Sequence, residues 1–112
     1  MKNFIHDDIE FIVGENASDN WNILDISEQN WIWFHLDNYS SPYVVMKISL
    51  NKLKKNKNNW KSFLNYGAIL CKENSKYSNK KVNVIWTIIK NLTKGKVIGE
   101  VFIKGKISTI MC

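Results

Sequence analysis

The chain has 112 residues, 45% of them hydrophobic and 12% aromatic, with a formal net charge of +6. That is enough chain and enough apolar side chain for one domain with its own core over residues 1–112, and it excludes global disorder. No apolar run approaches the roughly eighteen residues of a membrane span, and the charged opening MKNFIHDDIEF lacks the apolar region of a signal peptide, so the expected location is cytoplasmic.

Asn3–Ile5 and Ile9–Val13 read as a hairpin or a bent opening strand around His6-Asp7-Asp8, ended by Gly14. Asn16, Ser18 and Asp19 are competent N-caps for a short helix carrying Trp21, Ile23, Leu24 and Ile26. A central strand follows from Trp31 to about Asp37. Its alternation puts Ile32, Phe34 and Leu36 on one face and Trp31, Trp33 and His35 on the other. The first set is an ordinary core set. The second demands either a second packed layer or a flat ligand. Asn38–Pro42 is a turn and Tyr43–Ile48 a second strand.

Asn51–Asn59, NKLKKNKNN, reads as a solvated connection. From Trp60 to about Asn74 the spacing of Trp60, Phe63, Leu64, Gly67, Ala68 and Cys71 predicts an amphipathic helix, with Ile69 as a stray apolar residue on its polar side. Val82–Thr87 is a strand with Val82, Val84 and Trp86 on one face, and Ile88–Lys96 is irregular and basic. Gly99–Ile103 and Lys106–Ile110 flank Lys104-Gly105, a hairpin signal. The predicted class is α+β, a mixed, mainly antiparallel sheet with two helices packed on one of its faces.

The charge is unevenly placed. Residues 1–46 hold one lysine and eight acids; residues 47–112 hold fifteen lysines and two acids. A strongly basic half favours polyanions. Every basic residue is lysine, a point charge that cannot make the two-pronged base contacts of arginine, so phosphate contact with little base readout is expected. No Gly-rich phosphate loop exists, and no His/Cys cluster has metal spacing. Neither a cofactor nor a metal is expected. The two cysteines, Cys71 and Cys112, are expected as free thiols in a reducing compartment. A Cys71–His35 nucleophile pair is the one catalytic constellation to weigh, and Cys71 falls on the buried helix stripe where a thiol is inert. What remains is aromatic groups interleaved with lysines. Trp33, His35, Tyr43 and Lys47 form a candidate stacking and phosphate-contacting patch. The competing reading makes Trp31 and Trp33 core residues under a further layer.

These residues resemble the RNA-binding domain of the NFACT proteins, which include ribosome-quality-control factors, and small coiled-coil-bearing relatives of that domain. A Gly-x-Asn-Ala-x-x-Asn opening is matched by Gly14, Asn16, Ala17 and Asn20. An Ile-Trp-Phe-His core is matched by Ile32, Trp33, Phe34 and His35. Ser41, Pro42, Tyr43, Val44, Val45 and Lys47 stand where the family has Gly-Ser-His-Val-Val and a basic residue, so its second histidine is a tyrosine here. Gly67, Ala68 and Ser75 fit the helix, and Val82, Val84, Thr87, Lys90, Lys94, Gly99, Val101, Lys106 and Ile107 fit the closing pattern. The resemblance implies a non-enzymatic RNA-binding module, with tRNA or rRNA as ligand, the ribosome as a partner and DNA as a competitor. It implies binding through Trp33, His35 and Tyr43, with Lys47, Lys76, Lys80, Lys81, Lys90 and Lys94 on phosphates. The alternatives are a protein-interaction adaptor whose acidic half docks a basic partner, and a DNA-binding module using the same basic surface.

Overall fold

The structure is a computed structural model and describes residues 1–112. The two-faced strand WIWFHL is β3 (Trp31–Leu36), and it lies between β4 (Val44–Ser49) and β5 (Asn83–Ile88), antiparallel to both. Outside β4 come β2 (Ile9–Val13) and then β1 (Lys2–His6) at one edge; outside β5 comes β8 (Ser108–Met111) at the other. The order is therefore β1-β2-β4-β3-β5-β8, and every neighbouring pair is antiparallel. The expected mixture with parallel strands is absent: β2 and β3, and β4 and β5, do run parallel and are joined through helices, but each of these pairs is separated by an antiparallel strand. The opening hairpin closes through Asp7 and Asp8, both at positive φ (46° and 72°), the two-residue turn that suits strand twist.

Three helices, not two, pack on this sheet, and they cover both faces. Ile32, Phe34 and Leu36 of β3 join Phe11, Val13, Val44, Met46 and Val84 beneath α2 (Leu50–Asn56) and α3 (Trp60–Glu73). The stripe on α3 supplies Phe63, Leu64, Ala68 and Cys71, and Ile69 is exposed as its phase requires. Gly67 lies in the middle of that stripe. A Cβ there would sit 2.5 Å from Phe34 Cε1, so the glycine is what lets α3 lie directly on the ring. The other face carries a second core of Ile12, Trp33, Tyr43, Val45, Ile85 and Ile89, closed by Ile23 of α1 (Ala17–Ile26). Asn16 caps α1, its side-chain oxygen accepting from Asp19 N–H at 2.8 Å.

Two local expectations are overturned. The lysine-rich connection NKLKKNKNN contains α2, capped by Ser49, whose hydroxyl accepts from Lys52 N–H at 3.2 Å. A helix this short buries a single residue, Leu53, so no apolar period betrays it; its cap and the lysines of its last turn suit a helix nonetheless. The expected hairpin across Lys104-Gly105 does not form either. β7 (Val101–Ile103) pairs instead with β6 (Leu92–Lys94), and Ser108–Met111 pairs with β5. The outer edge of β5 would otherwise carry an unpaired row of backbone groups beside the core, and β8 satisfies it while setting Ile110 against that core. The β6–β7 ribbon lies over the second core, to which it contributes Leu92 and Val101.

Candidate nucleic-acid interface

The aromatic face of β3 is covered by a second layer. Trp33 is 1% exposed and Tyr43 2%, so neither ring is offered to a stacking base, and that part of the expected patch is corrected. Trp33 and His35 lie nearly parallel with centroids 5.6 Å apart, and Tyr43 stands edge-on to both at 5.3 and 5.5 Å. Residues alternating on one strand point to the same side, and α1 and the β6–β7 ribbon close over them. The buried Trp33 Nε1–H finds no acceptor. Tyr43 hydroxyl donates to Gly99 O at 2.5 Å, tying the turn of the ribbon to the sheet. Burial pushes the Tyr43 phenol up to about 12, so it stays a neutral donor.

His35 is the member of the set that remains half-exposed. Its Nδ1 lies 2.7 Å from Leu36 O. A carbonyl oxygen only accepts, so Nδ1 carries the proton and Nε2 is left as an acceptor. Nε2 has no protein partner and is not sealed from solvent. Burial lowers the His35 pKa below the ordinary histidine value, against the opposing pull of Leu36 O and the Asp37 charge, so the ring is neutral at pH 7.

His35 stands on the wall of a cavity of about 650 Å³ that composition did not disclose. Some of the residues that carry the family resemblance line it, from separate parts of the chain. Gly14, Asn16 and Asn20 come from the start of α1, His35 from β3, Ser41 and Tyr43 from the turn before β4, and Ser75 and Gly99 from later loops. Local chemistry builds the wall. Gly14 leaves room for Asn20, since a Cβ would fall inside contact distance of Asn20 Oδ1. That oxygen accepts from Tyr43 N–H at 3.2 Å and so fixes the amide. Ser41 hydroxyl accepts from Leu36 N–H at 3.0 Å, and Ser75 hydroxyl donates to Lys72 O at 2.6 Å. Lys2 and Lys76 also line the cavity, Lys2 reaching Asn74 Oδ1 at 3.4 Å. One acid, Glu15, is on the wall, and the Met1 amino group holds it at 2.9 Å.

The six lysines singled out in the sequence do not form one surface. Lys76 is exposed on the cavity wall, Lys81 is exposed further along the same loop, and Lys80 sits 5.1 Å over the ring of Tyr39 and 5.9 Å from that of the wall residue Tyr77, a pair with centroids 4.5 Å apart. Lys47 is at the other end of the strand, 5.7 Å over Trp31 and paired with Glu10 at 3.2 Å. Trp31 lies roughly 13 Å along β3 from His35 by strand rise. Lys90 is at that far end too, its backbone N–H donating to Gln29 O at 2.8 Å. Lys94 pairs with Asp25 and lies 5.2 Å over Trp21. Lys47, Lys57 and Lys94 thus neutralise acids of the N-terminal half, while the other twelve lysines of the basic half have no carboxylate partner. Sequence reasoning missed Lys2, Asn20, Ser41 and Ser75 as wall residues. The motif pattern was the available signal for Asn20, Ser41 and Ser75; Lys2 carried none, because only the pairing of β1 brings it there.

Cys71 and His35 do not meet as a nucleophile pair. Cys71 belongs to the core beneath α3, on the face of β3 opposite His35. Its thiol donates to Pro42 O at 3.5 Å, and burial pushes it up to about 12. Cys71 and Cys112 are both free, and no cluster of three or more metal-binding side chains exists. No helix is long and apolar enough to cross a membrane.

An antiparallel six-stranded sheet, layered on both faces and carrying a polar cavity where its motif residues meet, defines an α+β binding domain. The chain matches the model of the NFACT protein RNA binding domain over residues 4–110, and it belongs to that family. Among solved structures it is similar to the C-terminal part of the fibronectin/fibrinogen-binding protein from Streptococcus suis, with a TM-score of 0.81 at 21% identity. The match covers 98% of this chain and 43% of that one, so this chain spans less than half of its structural relative. No curated protein sequence matches significantly.

Proposed function

We propose that the protein is a non-enzymatic RNA-binding module acting in the cytoplasm, with a tRNA or ribosomal RNA as its ligand and the ribosome as its setting. The observation that carries this reading is the convergence of several of the family's motif residues on one polar cavity whose wall includes Lys2 and Lys76, neither of which has a carboxylate partner. Lys76, Lys80 and Lys81 contact phosphates at the mouth, and His35 contacts the nucleic acid from the wall. Trp33 and Tyr43 hold His35 and the ribbon in place from beneath. Lys47, Lys90 and Lys94 serve as outlying contacts, two of them at the cost of their present ion pairs. DNA competes for the same charge but offers no 2′-hydroxyl.

The adaptor reading loses its main support. Its acidic half is largely spent within the molecule: Asp7 and Asp8 meet Lys57, Glu10 meets Lys47, Asp25 meets Lys94, and Glu15 and Asp19 share the Met1 amino group. Affinity for tRNA measured across a salt series tests the RNA reading. A steep fall with salt and little sequence preference is expected; no binding at low salt, or binding indifferent to salt, would sink it.

A further inference from the structure

The large cavity is not a general basic surface. Its volume of about 650 Å³ falls within the roughly 300–1,000 Å³ of sites that enclose a small ligand. Two of its polar atoms are held in fixed roles and left without a protein partner. Asn20 is 8% exposed and its Oδ1 is committed to Tyr43 N–H, so its Nδ2 is a donor with no protein acceptor. His35 Nδ1–H is committed to Leu36 O, so its Nε2 is an acceptor with no protein donor. A pre-set donor and acceptor lining one cavity, with Lys2 and Lys76 among its other lining residues, call for a ligand with complementary hydrogen-bonding groups and an anionic end. A base-paired helix has its bases stacked inside and cannot enter such a space. An unpaired nucleotide can be splayed out into it.

We propose that this cavity takes one unpaired ribonucleotide of the bound RNA, its phosphate facing Lys2 and Lys76, its sugar hydroxyl or base amine donating to His35 Nε2, and its base accepting from Asn20 Nδ2. This rests on the RNA-binding reading and sharpens it: phosphate contacts outside give affinity, and the cavity gives preference for single strands and for ribose. Glu15, the one acid on the wall, is partly offset by the Met1 amino group that it shares with Asp19.

The experiment compares an unstructured RNA, the duplex of the same sequence, and the DNA single strand, with AMP, 2′-deoxy-AMP and inorganic phosphate as small probes followed by NMR. The proteins are wild type, Ser40→Trp, which plugs the mouth from an exposed turn position, and His35→Ala. The expected result is single-stranded RNA bound about tenfold more tightly than duplex or DNA, as one well-placed hydrogen-bonded contact allows. AMP perturbs the amides of Asn20 and His35 more than 2′-deoxy-AMP or phosphate does. Ser40→Trp erases the single-strand preference and retains the salt-dependent affinity, and His35→Ala weakens single-strand binding. Equal binding of single strand and duplex, or a single-strand preference that survives Ser40→Trp, overturns this inference while leaving RNA binding intact. Failure of every RNA to bind overturns both.

Discussion

In His35 a hydrogen bond to Leu36 O fixes the tautomer and partial burial sets the protonation state. The neutral ring is favoured in the folded protein because burial disfavours the imidazolium, so its folded pKa lies below the ordinary 6.5. As pH falls past about 6.5 the unfolded chain takes up a proton that the folded protein still refuses. His35 therefore contributes its full share of stability above that pH, and the contribution is lost as pH falls towards the lower folded pKa. Urea unfolding at pH 7.5 and pH 5 should show lower stability at the acid value, with the gap narrowed in His35→Gln. An unchanged gap would mean that the acid sensitivity belongs to carboxylates such as Asp19, whose pKa is lowered by the Met1 amino group and by Glu15 N–H.

At this scale the sequence was informative about identity and silent about exposure. The alternation of Trp31–Leu36 placed Trp33 and His35 on one face correctly, but whether that face met a ligand or a second layer depended on Ile23 and Val101, far away in the chain. The answer divides between two residues. Trp33 is core and His35 is wall. Tyr43, standing where the family has a histidine, works as a strut, bonding to Gly99 O through a hydroxyl that does not titrate near neutral pH.

Among the elements, legibility followed the amount of apolar surface each buries. The α3 helix was readable because its stripe is long and contiguous, and β3, β4 and β5 because their apolar runs are dense. The α2 helix buries only Leu53, so its composition resembled a loop. The pairing of β6 with β7 was hidden for another reason. A Gly turn at 105 advertises a hairpin locally, whereas the open edge of β5 competes for the strand that follows, and sheet pairing over long separation leaves no local mark. The glycine of α3 makes an element-scale prediction. Gly67→Ala gains helix propensity, yet its new methyl meets the fully buried ring of Phe34, which has nowhere to move. The net effect should be a loss of about 1–3 kcal/mol in chemical denaturation. A stabilised protein would show that α3 rides higher on the sheet than the structure has it.

Across the whole molecule, the charge split in the sequence proved real but partly cancelled. Three lysines of the basic half reach back to acids of the other half, which offsets part of the negative charge there. Sequence separation alone does not reveal this, because the pairs are made by strand order: β2 beside β4 brings Glu10 to Lys47, and the turn after β1 brings Asp7 and Asp8 to Lys57. What survives is basic charge in several places. Lys76 lines the cavity, and Lys80 and Lys81 follow it on the same loop. Lys54 and Lys61 instead flank the ring of Trp60 at 4.6 and 5.5 Å, next to the exposed Lys55, where α2 meets α3. We propose that RNA binds at the first group.

The most direct test replaces Lys76, Lys80 and Lys81 together by glutamine, and separately Lys54, Lys55 and Lys61, and measures tRNA affinity against salt for both. Each triple variant removes the same charge from exposed positions, so any difference reports location rather than net charge. The first variant should lose most of its affinity, and the slope of log affinity against log salt should flatten by about 2 to 3. The second should bind nearly as the wild type does. Equal losses in the two, or the larger loss in the second, would contradict an RNA interface at the cavity mouth.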